Sequence, residues 1–157
     1  MTETMDMWLN IICGFIVPWL FGGIYLARKS PLVLLLIFPA GSIISSLINA
    51  LGFHLKFWDF TPLIPNDESI SALPLDIGMY PLLACFMIRT IIQKRKKTAL
   101  VFFLFVFSTT VLEYIGTIIG KVSYGHGWNV GFTFLSYCVG FGTVFLYFKL
   151  LERHQVL

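Results

Sequence analysis

The sequence predicts an all-α integral membrane protein, a single domain over residues 1–157 built as a bundle of five transmembrane helices. Hydrophobic residues make up 57% of the chain and charged residues only 12%, and the mean hydropathy is +0.84. A soluble domain needs a charged outer shell, whereas the charges here fall between long apolar blocks. Continuous apolar runs favour helices over the alternating strands of a membrane barrel, because backbone groups in lipid must be paired internally.

Five apolar blocks are each long enough to cross a hydrocarbon core of about 30 Å, which takes roughly 20 helical residues. The predicted helices cover residues 7–26, 31–53, 72–92, 98–120 and 129–151. A long loop, 54–71, precedes the third helix, and a basic loop, 93–97, follows it. The start of the chain is acidic and lacks a small-residue cleavage pattern, so we expect the first helix to stay in the membrane rather than to be removed as a signal peptide.

Basic residues predict the orientation, because Lys and Arg in short loops are retained on the cytoplasmic side. They follow the first, third and fifth helices: Arg28, Lys29, Arg89, Lys94, Arg95, Lys96, Lys97, Lys149 and Arg153. The opposite side carries only Lys56 and Lys121. We therefore expect the N-terminus outside and the C-terminus in the cytoplasm, and we interpret the basic loop as a topology signal rather than a site for anionic lipid.

Two carboxylates lie inside the apolar blocks, where an ionisable side chain is costly and usually has a role. Asp76 is in the third helix and Glu113 in the fourth. Polar and small residues that share one face of the fourth helix with Glu113 are Thr109, Thr110, Gly116, Thr117 and Gly120. At 1.5 Å per residue, Glu113 lies about 10 Å below the outer end of its helix, and Asp76 is shallower. These positions predict one polar pocket that faces outwards.

The predicted pocket takes its ligand-binding residues from several helices and from the long loop. They are Asn10, Ser46, Asn49, His54, Trp58, Tyr80, Tyr114 and Thr117. The aromatic loop 54–71 either folds as a lid over this pocket or rests as an anchor at the headgroup boundary. The sequence favours neither alternative.

Each carboxylate also has a structural interpretation. Asp76 could be satisfied by backbone amides after Pro74, or by Lys56 or His54, and for Asp76 this is the preferred interpretation. Glu113 could be satisfied by threonines of its own helix, Thr109 or Thr117, or by a tyrosine, but we favour a functional role. If the protein is an enzyme, Glu113 and Asp76 are the candidate catalytic acid and base.

Other chemical signatures are missing from the sequence. The cysteines lie singly inside apolar blocks, at Cys13, Cys85 and Cys138, without disulfide or zinc spacing. The outer histidines, His54 and His126, do not form an HxxxH or HExxH pattern, and no GxSxG turn exists. We expect no metal, no cofactor and no nucleic-acid partner.

Two stretches carry a family resemblance: WDFTPLIPNDESISALPLDIGMYP, from Trp58 to Pro81, and LEYIGTIIGKVSYGHGW, from Leu112 to Trp128. They resemble an uncharacterised family of small multi-pass membrane proteins from spore-forming Gram-positive bacteria. The resemblance spans most of the chain. It implies a bacterial cytoplasmic membrane, and it implies no activity.

A shorter motif is similar to membrane lycopene cyclase domains, which carry a tryptophan in an outer loop and a P-x-E-E motif at the next helix. The matching residues are Trp58, Pro74 and Asp76, and Ile77 replaces the second acid. In that family the paired acids are thought to protonate a polyene and guide the carbocation. The resemblance therefore implies an isoprenoid substrate. The second acid of the motif is missing here, unless Glu113 of the fourth helix replaces it.

Three functions follow from these observations. The first is a binding or accessory protein whose pocket holds a membrane lipid or another hydrophobic small molecule. The second is an enzyme that acts on an isoprenoid or lipid substrate by acid–base chemistry. A small transporter ranks third, because the polar residues do not continue to the cytoplasmic side and no inverted repeat is evident. Further copies of the chain, or a larger membrane complex, are possible partners.

Overall fold

A computed structural model describes residues 3–64 and 69–157, and most of these residues are helical. Five helices are long and apolar enough to cross a membrane, and we call them the first to fifth spans: Met5–Lys29, Pro31–His54, Ser69–Gln93, Arg95–Ile118 and Val130–Arg153. The predicted all-α architecture is confirmed, and it includes five helices that are long and apolar enough to span a membrane. Residues 65–68 of the predicted loop lie outside the described residues.

The second, fourth and fifth spans are regular. The second is one α-helix, Pro31–His54, and begins with proline, whose fixed φ suits a first helical position. The fourth has a 3₁₀ turn, Arg95–Lys97, followed by the α-helix Thr98–Ile118. The fifth is one α-helix, Val130–Arg153. Its first turn is capped by Asn129, whose Oδ1 accepts a hydrogen bond from the backbone of Gly131 at 2.9 Å.

The first and third spans contain wider π-helical turns. The first span is α-helical over Glu3–Ile11 and Ile24–Lys29, with π turns at Ile12–Ile16 and Trp19–Gly23. The third span has one π turn, Leu75–Met79, between the α-helices Ser69–Pro74 and Tyr80–Gln93. The backbones of the two spans touch there, because a Cβ atom on Gly78 would lie 2.1 Å from the carbonyl oxygen of Gly14. Only glycine permits that approach.

Proline in the third span explains one further contact with the first. Pro81 has no N–H to donate to the carbonyl of Ile77, four residues earlier. That oxygen instead accepts a hydrogen bond from Trp19 Nε1 at 3.0 Å. The indole therefore satisfies a backbone group that would otherwise be unpaired in an apolar environment.

The bundle buries one apolar core and leaves apolar residues on its outside. Buried residues from several spans form the core, including Leu26, Ile37, Met87, Ile88, Val106 and Phe148. The outward faces expose Phe21, Leu35 and Leu146, each about two-thirds exposed or more. Such faces suit contact with lipid rather than water.

Two short strands close one end of the bundle. Strand β1, Trp58–Phe60, pairs antiparallel with β2, Val122–Tyr124, so that Trp58 lies opposite Tyr124. We call this the sheet end and the opposite end, which carries residues 93–97, the basic end. Both strands lie in segments that the sequence predicts as loops, because three-residue strands carry no detectable periodicity.

Candidate functional site

A cavity of about 60 Å³ lies between the second, third, fourth and fifth spans and reaches the sheet end. Its lining on the fifth span extends from Thr133 to Val144, about 16 Å along the helix. Because this small volume is spread over that length, the cavity is narrow, and we call it the cleft. The polar lining residues are Ser45, Asn49, Tyr80, Glu113, Thr133, Ser136 and Tyr137. The other lining residues are Gly41, Ile44, Ile48, Trp58, Ala84, Trp128, Gly140, Phe141 and Val144.

Glu113 lines the cleft and is surrounded by hydroxyl groups. Tyr137 donates to Oε2 at 2.5 Å, Tyr124 donates to Oε1 at 3.0 Å, and the Thr133 hydroxyl lies 3.2 Å from Oε1. In the part of the chain that the structure describes, Glu113 forms no ion pair with Lys, Arg or His. Hydrogen bonds rather than a counter-ion hold this carboxyl group in place.

The hydrogen bonds continue beyond these first partners. The hydroxyl groups of Tyr80 and Tyr137 are 3.2 Å apart, and because Tyr137 gives its only proton to Glu113, Tyr80 is the donor. On the other side, Trp128 Nε1 donates to Thr133 Oγ1 at 2.9 Å. We call this set of side chains the Glu113 network, and it connects the third, fourth and fifth spans with Trp128 and Tyr124.

Tyr124 belongs to β2, outside the spans, and its ionisation is suppressed. Burial raises the pKa of the Tyr124 phenol, and the nearby charge of Glu113 raises this pKa further, although the hydrogen bond with Thr133 lowers it. The phenol therefore keeps its proton near neutral pH. It remains able to donate that proton to Glu113.

Asp76 forms a second network and does not line the cleft. Its Oδ1 accepts hydrogen bonds from Ser45 Oγ and from Asn49 Nδ2, the latter at 2.7 Å. Asn49 Oδ1 in turn accepts from Trp58 Nε1 at 3.2 Å. We call these side chains the Asp76 network.

The partners of Asp76 correct the sequence-based interpretation, which assigned amides after Pro74, Lys56 or His54. They come instead from the second span, because that span packs closely on the third. A Cβ atom on Gly41 would lie only 3.1 Å from Pro81 Cα. At that separation the serine and the asparagine of the second span reach the carboxylate directly.

Two tryptophans cover the sheet end of the cleft. The ring centroids of Trp58 and Trp128 are 4.8 Å apart in an edge-to-face arrangement, and Phe57 stacks on Trp128 at 4.7 Å. Trp58 is held by the Asp76 network and Trp128 by the Glu113 network. Trp58 and Phe60 are buried, so the described part of the loop 54–71 packs over the end of the bundle, as the predicted lid would.

Asn10 lies outside the cleft and fastens this lid to the first span. Its Nδ2 donates to the carbonyl oxygens of Thr61 at 2.8 Å and Ser71 at 3.0 Å. Asn10 also lines a second cavity of about 110 Å³ that shares Tyr80 and Glu113 with the cleft. An ion pair between Asp6 and Lys121, the residue before β2, joins the first span to the sheet on the same side.

Besides Asn10, four other predicted ligand-binding residues are not brought into the cleft. Ser46 and His54 do not line it, and His54 is exposed. Tyr114 is 49% exposed, and the Thr117 hydroxyl donates to the backbone carbonyl of Tyr114 at 2.7 Å. Ser46 and Tyr114 each follow a residue that lines the cleft, and one residue along a helix is a rotation of about 100°, so these two side chains point elsewhere.

Several cleft residues were not predicted from the sequence. They are Trp128, Thr133, Ser136 and Tyr137, together with Tyr124 beside the cleft. Thr133 and Tyr137 are spaced by four residues and continue into Gly140, Phe141 and Val144 on one helical face. That spacing is a signal that could have identified the fifth span as a wall of the site.

The predicted partners of Glu113 included a tyrosine, and two tyrosines are observed. Among the described residues, no group of three or more His, Cys, Asp or Glu side chains is placed to hold a metal ion. Comparisons with protein-family models, curated proteins and solved structures find no match for this chain.

Proposed function

We propose that the protein is a binding or accessory protein that holds one amphipathic membrane molecule in the cleft. The observation that carries the proposal is the change of polarity along this narrow space. Glu113, Asn49 and Tyr80 lie towards the sheet end, whereas Phe141 and Val144 lie deeper. A molecule with a polar head and an apolar chain matches that gradient, with its head under the two tryptophans.

The width of the cleft limits the class of ligand. A volume of about 60 Å³ would hold only a few waters if it were compact, and here it is spread over the length of three helical turns. This favours a single acyl or prenyl chain over a two-chain phospholipid or a bulky ring system. From the sequence we expect a membrane lipid or another hydrophobic small molecule. The narrow cleft restricts our proposal to a single-chain amphiphile.

Unused hydrogen-bonding groups in the cleft favour a neutral polar head. Ser136 lines the cleft, and its hydroxyl has no partner among the residues that the structure describes. Asn49 donates one of its two amide protons to Asp76, and the other is not used in the described hydrogen bonds. A hydroxyl or amide head could both donate and accept here.

A membrane enzyme that uses Asp76 and Glu113 as acid and base is less well supported. Such a pair requires both carboxyl groups to reach one substrate, but only Glu113 lines the cleft. Transport is also less well supported, because the lining towards the basic end consists of apolar residues such as Phe141 and Val144.

For the orientation, we propose that the sheet end faces outwards and the basic end faces the cytoplasm of a bacterium. The basic residues near Lys94 and Arg95 support this assignment through the positive-inside rule. The resemblance to proteins of spore-forming bacteria supports a bacterial cytoplasmic membrane. Labelling of a cysteine introduced at Lys96 or at Ile119 with an impermeant reagent in intact cells would test it: only the Ile119→Cys variant should react.

The ligand proposal is tested by mass spectrometry of lipids that remain on the purified protein. We expect a single-chain amphiphile, and we expect Ser136→Leu, which fills the cleft, to remove it. Ser46→Leu is the matched control, because Ser46 lies on a neighbouring span and outside the cleft. Circular dichroism and gel filtration check that both variants fold. Equal retention by both variants, or retention of two-chain phospholipids alone, would contradict the proposal.

A further inference from the structure

Arg89 lies near the basic end of the third span, and two other spans hold its guanidinium group. Its Nε donates to Ser30 Oγ at 2.8 Å, at the start of the second span, and its Nη1 donates to Tyr25 Oη at 3.0 Å in the first. The guanidinium carbon also lies 4.9 Å from the centroid of the Tyr25 ring. Three contacts therefore fix the orientation of this half-buried side chain.

Arg89 has no carboxylate partner among the described residues, although three other cations do. Arg95 pairs with Glu152 at 3.1 Å, Lys149 pairs with the same carboxylate at 2.8 Å, and Lys121 pairs with Asp6. Across residues 3–64 and 69–157, no Asp or Glu pairs with Arg89. A half-buried charge without a counter-ion is costly, unless an anion from outside the chain supplies the missing contact.

A cavity of about 260 Å³ lies beside this guanidinium, and we call it the Arg89 cavity. Its polar lining comes from Arg89, Ser30 and Gln93, and its apolar lining includes Leu32, Val33 and Ile92. Only two of the guanidinium N–H groups are used in the bonds described above, so the others remain free to donate.

We propose that the Arg89 cavity binds the phosphate group of an anionic phospholipid in the leaflet at the basic end. The planar guanidinium can offer two parallel N–H groups to two phosphate oxygens. Leu32 is 57% exposed at the cavity, and acyl chains can continue from the headgroup along this apolar edge. The exposed Arg28, Lys29 and Lys94 add positive charge that favours a headgroup of net negative charge.

This site is independent of the cleft at the sheet end. It lies at the other end of the bundle and shares no lining residue with the cleft. Its proposed ligand comes from the leaflet at the basic end. From the sequence, the basic loop 93–97 is interpreted as a topology signal rather than a site for anionic lipid. The structure assigns the lipid contact instead to Arg89, which lies four residues before that loop and inside the third span.

Native mass spectrometry of the full chain, delipidated in detergent and titrated with phosphatidylglycerol, tests the proposal. We expect one tight phosphatidylglycerol site, and we expect Arg89→Gln to weaken it about tenfold, because charge-assisted hydrogen bonds are lost. Lys96→Gln is the control, since it removes the same charge from an exposed residue of the basic loop that does not line the cavity. Equal weakening in both variants would overturn the proposal, because general surface charge would then explain the binding.

Two further arms separate the remaining explanations. Arg89→Lys keeps the charge and removes the planar fork, so it should also weaken binding several-fold even if Arg89→Gln does not fold. Native-like binding by Arg89→Lys would overturn the assignment. Inorganic phosphate alone should compete poorly with phosphatidylglycerol. If it competes equally well, the site binds a free anion rather than a lipid.

Discussion

Asp76 and Glu113 are both carboxylates within membrane spans, yet the structure surrounds them differently. Asp76 is 3% exposed, uses one oxygen for both of its side-chain hydrogen bonds, and takes both donors from the second span. Glu113 is half-buried, uses both oxygens, and takes its donors from the fifth span and β2. Only Glu113 lines the cleft.

This difference separates a structural carboxylate from a candidate site residue. The Asp76 network joins two helices that already pack closely, so its hydrogen bonds stabilise the bundle. The Glu113 network surrounds a space that a ligand can enter, so the same kind of hydrogen bonds fixes the shape of a site. Each network also positions one of the two tryptophans over the cleft, Trp58 or Trp128.

The largest effect is expected for Asp76→Ala. The substitution leaves Ser45 and Asn49 without their acceptor in a buried position, so it should lower the free energy of unfolding by about 3 kcal/mol. Asp76→Asn keeps an acceptor oxygen and should lose less than half of that. Thermal unfolding in detergent measures both variants. An Asp76→Ala protein as stable as the native one would show that this network does not stabilise the bundle.

Glu113→Gln should affect binding more than folding. The amide oxygen can accept from one tyrosine and the amide NH2 group can donate to the phenol oxygen of the other, so the unfolding midpoint should stay close to that of the native protein. The altered charge and donor pattern of the cleft should reduce the amount of retained ligand about tenfold. This corresponds to a loss of ~1.4 kcal/mol of binding free energy. Lipid mass spectrometry and thermal unfolding together test this. A loss of stability as large as that of Asp76→Ala would make Glu113 a structural residue as well.

The tryptophans allow a smaller comparison between the two networks. Trp58→Phe should cost about 1–2 kcal/mol of stability, because the buried Oδ1 of Asn49 loses its donor. Trp128→Phe should cost less than about 1 kcal/mol, because the Thr133 hydroxyl keeps its contact with Glu113. The unfolding midpoints of the two variants show which substitution costs more stability. The reverse order would contradict the assignment of Trp58 to the more buried network.

The smallest expected effect is a loss of stability at alkaline pH, caused by the ionisation of Tyr124. Its pKa is raised in the folded protein, so its stabilising contribution is complete below the ordinary tyrosine pKa and is lost as the pH rises towards the raised value. Stability of the native protein should therefore fall above about pH 10, and Tyr124→Phe should fall less steeply. Unfolding midpoints between about pH 8 and pH 11 test this. The exposed Tyr114 supplies a control, Tyr114→Phe, which should behave like the native protein.

Much of the fold could be predicted from the sequence, because membrane insertion depends on local composition. The five predicted helices agree with the observed spans to within a few residues at most ends. The two π turns of the first span and the short sheet could not be predicted, since they depend on contacts between distant segments such as Gly14 with Gly78.

The candidate site could be predicted only in part. Asp76, Glu113, Asn49 and Tyr80 were identified because polar residues in apolar helices are conspicuous, and Trp58 was identified because it lies in the aromatic loop 54–71. The second span contributes Ser45 to the cleft, whereas its neighbour Ser46 does not line it. Sequence spacing gives the relative angle between residues on one helix, but it does not give the rotation of that helix against its neighbours.

The sequence by itself determined that the chain forms five apolar helices with basic residues at one end, since the length and polarity of each segment are properties of that segment alone. Only the tertiary structure decided that Asp76 meets the second span, that Glu113 meets the fifth, and that two tryptophans close the cleft. The physical reason is that a buried polar group takes whichever partner helix packing brings within hydrogen-bonding distance.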